Sequence, residues 1–317
     1  MQVRAKLLIL GSIFFVGLAF FMFWGINASN YEFFLPRRFS KVLAIFVVAY
    51  AVGFSAVIFQ TITNNKILTP SIMGLDSLYL FIQTFVVFFF GSSTLVMMSD
   101  AKEFVLSVSL MILASLLLYK LLFKGTNKNI YFLVLAGMIL GTLFDGMATF
   151  MQVLLDPNEF LVLQGKMFAS FNTINSELLY ICLAISFIVI LLSLKDFAKL
   201  DVLSLGENDA INLGIDYKAI VKRMLVYIAI LTSIATVLVG PITFLGILLV
   251  SISRQMLNSF KHSYMTIGAV LIGNIALIYS LIIVERVFNN ETTVSILINF
   301  VGVLYFIYLI LKESKRD

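Results

Sequence analysis

Two carboxylates are the residues best placed to do chemistry. Asp145 lies in the middle of an apolar run, 130–155, and Asp76 lies just past a Pro70 to Gly74 segment that opens another. An ionisable side chain is expensive inside hydrocarbon, and it marks an ion or substrate route or a buried partner. Gly137, Gly141 and Asp145 are spaced four apart, on one helical face. Glycines let a second helix come close, so Asp145 should point into protein or a route rather than into lipid. Both acids could line or gate such a route, and each could equally cap or pair with a neighbouring helix. The arginines Arg37, Arg38 and Arg286 offer guanidinium forks suited to carboxylates of a partner; lipid phosphates would suit them as well. Glu285 is expected to pair with or orient Arg286. Met138, Met147, Met151 and Phe144 share one run and could form a smooth wall for a bulky cargo, or simply pack.

The remaining chemistry is sparse. Cys182 is the only cysteine and His262 the only histidine, so an intrachain disulfide and a Cys-rich or His-cluster metal site are excluded. His262 is read as a solvated loop residue. No cofactor or metal is expected.

A polar stretch, about 196–218, carries a different signal. Ser204 and Glu207 form S-x-x-E, the pattern of a capping box, and Gly214 supplies a helix stop. A short helix of about 205–213 follows. Gly206, Ala210 and Leu213 fall at i, i+4 and i+7, a face of small and apolar side chains. Such a helix could dock into a groove on another protein or lie on a membrane surface.

The elements that position these residues follow from composition. Of 317 residues, 61% are apolar and 12% charged, against roughly 45–50% and 25% in a soluble domain; mean hydropathy is +1.05. A soluble chain could not hide that surface. A soluble enzyme, a nucleic-acid binder and a single-span receptor are excluded, and an all-α polytopic membrane protein is expected. About ten spans of ~20 residues account for the apolar fraction: 5–27, 39–60, 69–91, 103–123, 130–155, 177–195, 219–239, 242–257, 264–285 and 293–312. The first run lacks a small-residue cleavage site and is read as a retained span. The eighth is short and starts at Gly240-Pro241, as a broken or tilted element would.

Basic residues orient the spans. With the N-terminus inside, only six of the 22 Lys and Arg residues face out: Arg37, Arg38, Lys41, Lys102, Lys166 and Arg286. An even span count then leaves both termini cytoplasmic. The chain reads as one domain, 1–317, with two four-helix blocks, 39–155 and 219–312. Pro70 to Gly74 and Pro241 to Gly246 interrupt the second helix of each block. The blocks start on opposite sides, the pattern of inverted repeats whose broken helices border a substrate path. Pro70, Gly74, Asp76, Asp145, Pro241 and Gly246 are therefore candidate pathway residues.

Four motifs, in order, carry a resemblance: Leu35-Pro-Arg37, Asn65-Lys-Ile-Leu-Thr-Pro-Ser-Ile-Met-Gly74, Leu205-Gly-Glu-x-x-Ala-x-x-Leu-Gly214 and Gly240-Pro-Ile-x-Phe-Leu-Gly246. Together they resemble the iron-siderophore and cobalamin permeases of ABC importers, FecCD-type, with the type II fold of ten helices. The wording around Ile67 to Asp76 is most similar to permeases for ferric catecholates such as petrobactin. Departures occur at Phe34, at Val250 to Arg254 and at Thr292 to Val294, where the family often has an arginine, a Pro-His pair and a Pro-Val pair.

The resemblance implies a permease subunit in a bacterial cell membrane that moves a ferric siderophore and is not itself an enzyme. There is no G-x-x-x-x-G-K-[ST] loop, so ATP would be bound by a separate ATPase subunit. Leu205, Gly206, Glu207, Ala210, Leu213 and Gly214 would couple to that ATPase. Arg37 and Arg286 would meet the two lobes of an extracytoplasmic siderophore-binding protein, with Arg38 added by adjacency. A second permease, more readily a different chain than a copy, would complete the path; lipid surrounds it, and nucleic acid has no role. The competing reading is an ion-coupled secondary transporter using Asp76 and Asp145.

Overall fold

The computed structural model describes residues 3–27, 31–91, 100–122, 130–172 and 174–313. Lys124, Lys128, Lys315 and Arg316, which contribute to the charge asymmetry, lie outside the described residues. Where described, all regular structure is helical, as hydrocarbon requires of backbone that can find no water.

The helices are α1 (Val3–Phe23), α2 (Tyr31–Ile62), α3 (Asp76–Phe90), α4 (Asp100–Leu122), α5 (Ile130–Leu154), α6 (Pro157–Met167) and α7 (Ser176–Ser193). Then come α8 (Phe197–Leu203), α9 (Glu207–Asn212), α10 (Tyr217–Val239), α11 (Leu245–Leu257), α12 (His262–Arg286) and α13 (Val294–Glu313). Each of the ten expected runs corresponds to a helix. Among the described residues, seven segments are long and apolar enough to cross a membrane, while Leu245–Leu257 and Val294–Tyr308 are shorter apolar helices. The spans are therefore unequal. Helix α6 was not expected: Asp156 caps it by accepting from Asn158 N at 2.9 Å, and Pro157 occupies its first position, where a missing N–H costs nothing.

Helix α2 is the axis of the core. Ala44, Ile45, Val47, Ala49, Ala51 and Phe54 are fully buried on it, and it packs against α10, α11 and α12. Helices α1 and α5 are the opposite case: only 17% of the apolar window is buried in each, against 78% in α2. Their exposed faces differ. On α1 the exposed residues are nearly all apolar, including Leu8, Phe15, Val16 and Phe23. On α5 they include Thr142, Asp145, Gly146 and Thr149.

Both interruptions are real. After α2, Asn64 turns left-handed (φ 45°) and the Asn65 side chain accepts from Ile67 N at 2.9 Å. Pro70 then starts a π-helical turn, Ser71–Leu75, in which Gly74 has φ 90°. A Cβ at Gly74 would stand 2.7 Å from Gly141 Cα on α5, so only glycine fits. The expected close approach at Gly137 and Gly141 is thus made by the break itself: Met73 lies on Gly137 and Gly74 on Gly141. After α10, the chain runs without helix from Gly240 to Phe244. Helix α11 has 13 residues, about 20 Å, too short for ~30 Å of hydrocarbon; the irregular segment makes up the depth.

Contacts sort the molecule into two ends. At one, Lys6 Nζ donates to Met256 O (2.6 Å), His262 meets Asp201 and Thr61, and Gln255 donates to Tyr305 OH (3.0 Å). At the other, Arg38 and Arg286 reach Trp24, and Lys41 reaches Asn172 and Glu285. This is the division that basic-residue placement implies.

Candidate functional site

Three groups of residues matter: the Arg37 end, the loop of α8 and α9, and the junction of the two breaks.

At the Arg37 end an open cavity of about 770 Å³ is lined by Arg37, Arg38, Lys41, Glu285 and Arg286 among others. The arginines do not play equal parts. Arg37 is exposed and lies over the Phe33 ring, 3.8 Å from its centroid. Arg286 is exposed and donates to Trp24 O at 3.1 Å. Arg38 is buried, with 8% exposure, and its Nη1 donates to Phe21 O, Met22 O and Trp24 O at 2.9, 3.0 and 2.9 Å. It satisfies the carbonyls that α1 leaves unpaired at its C-terminus. The expectation that Arg38 docks a partner is corrected: its donors face inward because Pro36 and Arg37 stand on the outer side of the first turns of α2. Glu285 is also corrected. It accepts from Lys41 Nζ at 2.6 Å rather than from its neighbour Arg286. Lys41 is a member of this cluster that sequence reading left aside, although it stands one helical turn beyond Arg37.

The loop at the other end holds α9, which starts two residues later and ends one residue earlier than the expected 205–213. The capping box does not form. Ser204 Oγ donates back to Asp201 O at 2.6 Å, and the cap position belongs to Gly206 at φ 110°. The stop is as expected: Gly214 has φ 81°, Ile215 N donates to Ala210 O (3.0 Å) and Gly214 N to Ile211 O (2.9 Å), which is a Schellman pair. The expected face of Gly206, Ala210 and Leu213 is split between inside and outside. Ala210 is fully buried in the turn between α8 and α10, whereas Leu205, Ile211 and Leu213 are 60%, 52% and 62% exposed. Ionic contacts fix this loop to the helices. Arg223 donates to both oxygens of buried Asp196 at 3.1 and 3.0 Å. His262 is a correction too: it is 4% exposed, with Nδ1 2.7 Å from Asp201 Oδ1 and Nε2 2.8 Å from Thr61 Oγ1. It links α2, α8 and α12 instead of facing solvent.

The breaks meet in the core. Thr243 Oγ1 donates to Asp76 Oδ2 at 2.7 Å, and Gly246 lies against Thr69 and Ala56. Pro70, Gly74, Asp76, Pro241 and Gly246 are all buried; they form a junction inside the subunit. Asp145 alone among the candidates is exposed. Thr243 was missed because its motif leaves that position variable and because 167 residues separate it from Asp76. Among the described residues no group of three His, Cys, Asp or Glu could hold a metal.

Comparison with known proteins places this geometry. Residues 6–312 match the FecCD transport family. The chain is 51% identical over 319 residues to the petrobactin import system permease protein YclO of Bacillus subtilis, covering 99% of both. It is 27% identical to YclN of the same organism, also a petrobactin import system permease protein, covering 87% of this chain and 85% of that one. A metal-chelate type ABC transporter in an inward-facing conformation has the same fold, with TM-score 0.83 and 21% identity over 98% of this chain and all of the other. The chain belongs to the FecCD transport family, as a membrane permease of the siderophore-import type.

Proposed function

We propose that this chain is one of two permease subunits of an ATP-driven importer for a ferric siderophore of the petrobactin type. The observation that carries the cargo is the 51% identity to YclO along essentially the whole of both chains. The ion-coupled alternative draws no support from the junction: Asp76 is enclosed by Thr243 and α10 rather than open to a route.

Roles follow from exposure. The Lys6 end faces the cytoplasm with both termini, a reading supported by its basic residues and by the position of α9. There Leu205, Ile211 and Leu213 form the surface for a separate ATPase, and Gly206, Glu207, Ala210 and Gly214 give it shape. Arg37 and Arg286 form the outer surface for a binding protein, and Arg38 holds that surface in place. A charge on a membrane helix does not face lipid, so the α5 face with Thr142, Asp145 and Thr149 turns to the route or to the second permease. The buried breaks, at Pro70 to Asp76 and Pro241 to Gly246, form the hinge between inverted blocks 39–155 and 219–312. The permease itself makes and breaks no covalent bonds.

Uptake of labelled ferric petrobactin into vesicles holding the whole importer tests the reading. ATP inside should drive uptake, and a protonophore should leave it unchanged. Uptake that needs a proton gradient and ignores ATP would overturn it.

A further inference from the structure

A small cavity lies where the two breaks meet. Its volume is about 20 Å³, and Ser55, Thr69, Ser71, Asp76, Thr236 and Gly240 are among the residues that line it. A space of this size accepts one water-sized particle. Ser55 Oγ and Thr69 Oγ1 are buried without a hydrogen-bond partner, and each residue is 1% exposed. Buried hydroxyls are rarely left unmet, so these two oxygens point to an occupant.

Charge decides what the occupant is. Asp76 is buried, and Thr243 and Ser71 hydrogen-bond it; neither partner carries a charge. Among the described residues no Lys or Arg forms an ion pair with it, and the ionisable group that acts on it through space is a second acid, Asp145. The cavity also touches the last turn of α10, at Thr236 and Gly240, the negative end of that helix. A water could meet the two hydroxyls, but Asp76 would then have to be protonated or stand as a carboxylate without a counter-charge, the latter at a cost of several kcal/mol. A compact hard cation meets both needs, because it takes carboxylate, hydroxyl and carbonyl oxygens together.

We infer that the junction between the two interrupted helices binds one dehydrated monovalent cation of sodium size, held by Asp76, Ser55 and Thr69. The ion ties the first break, at Thr69 to Asp76, to the end of α10 and so holds the two blocks in register. It is a structural ion: Asp76, Ser55 and Thr69 are buried, and its role is separate from carrying the cargo.

The test uses the full-length permease, purified with its partner subunits, in detergent. Its thermal unfolding midpoint is measured while NaCl replaces N-methylglucamine chloride at constant ionic strength, and bound ²²Na⁺ is counted. The midpoint should rise with sodium and saturate, as a ligand that binds only the folded state requires. Bound sodium should reach one ion per chain above a sodium-site-free control. Asp76→Asn should abolish both effects. Thr69→Val, which keeps the shape and removes the hydroxyl, should move the sodium response to several-fold higher concentration, and it serves where Asp76→Asn fails to fold. A midpoint independent of sodium, or an unchanged sodium response in Thr69→Val and Asp76→Asn, would overturn the inference and leave a protonated Asp76 beside a water. Either result stands apart from the transport assay, because the readout is stability and ion binding.

Discussion

Arg38 and Arg286 converge on one acceptor, the carbonyl of Trp24, at 2.9 and 3.1 Å. The first comes from the start of α2 and the second from the end of α12, so one oxygen at the end of α1 joins three helices. Arg38 reaches it from inside the protein and Arg286 from the surface. Two like charges on one carbonyl repel each other. The outer one is therefore the readier to turn toward a carboxylate on a partner, while the inner one stays with two further carbonyls.

That asymmetry separates the two arginines by experiment. Arg286→Glu should weaken docking of a binding protein about tenfold at low salt, where surface pairs are least screened, with membrane abundance unchanged. Arg38→Ala should do the reverse. It leaves the Phe21 and Met22 carbonyls without their donor and Trp24 O with Arg286 alone, which costs about 2–4 kcal/mol, so the purified subunit should unfold earlier. Titration of binding protein against each variant, beside a thermal melt, reads both effects. Equal loss of docking with equal stability would remove the distinction.

The loop at the other end makes a second separation. Leu213 is exposed at the C-terminal cap of α9, and Ala210 within the helix is buried. Leu213→Asp should leave the fold intact and abolish copurification of the ATPase, because it puts a charge into an apolar contact. Ala210→Trp should instead destabilise the loop by about 1–3 kcal/mol through overpacking, and any loss of coupling would follow from that. Limited proteolysis of residues 204–216 distinguishes them: faster cleavage is expected for Ala210→Trp only.

How far these features were legible in the sequence depends on their range. Helix existence was legible because hydrophobicity and backbone satisfaction act locally, and the Gly214 stop was legible for the same reason. The Ser204 to Glu207 box had the right spacing yet does not form: Ser204 bonds back to Asp201 O because α8 runs on to Leu203, and Gly206 takes the cap. Contacts across many residues were not legible at all. Neither Thr243 with Asp76 nor Lys41 with Glu285 is marked by any local pattern. His262 looked like a loop residue because it stands next to Lys261, and only packing of α2 and α8 around it reveals the buried chain Asp201, His262, Thr61. The arginines were legible as a cluster but not in their division of labour, since one residue of helix phase decides which guanidinium faces in.

Two glycines on α5 give a third prediction, with opposite readouts. Gly141 lies on Gly74, and a Cβ there would come 3.1 Å from the Gly74 Cα. Gly141→Leu should therefore push α5 off the break and lower the melting midpoint. Gly146 has no atom within 4 Å of its place for a Cβ and is exposed beside Asp145. Gly146→Leu should leave the isolated subunit as stable as the parent. If that face borders the route or the second permease, transport should nonetheless fall at least tenfold. Normal transport in Gly146→Leu and in Asp145→Lys would assign the face to neither.

A fourth prediction concerns the second permease. The α5 face carries an exposed carboxylate at Asp145, flanked by exposed Met138, Leu143, Met147 and Phe150. Where this face lies on the two-fold axis of a pair of identical chains, Asp145 of each meets the same residue of the other, and like charges in a desolvated interface cost several kcal/mol. A different chain can place a basic or neutral residue there instead. YclN and YclO, both petrobactin import system permease proteins of one organism, stand at 27% and 51% identity to this chain, which fits pairing of one chain of each kind. Expression of this chain with the ATPase and binding protein alone should give no ATP-dependent uptake, and adding a YclN-like chain should restore it. Asp145→Asn should raise self-association of this chain, read by crosslinking in the absence of the second permease, because it removes the repulsion. Full uptake from the three-component system, with Asp145→Asn no more self-associated than the parent, would establish a homodimer instead.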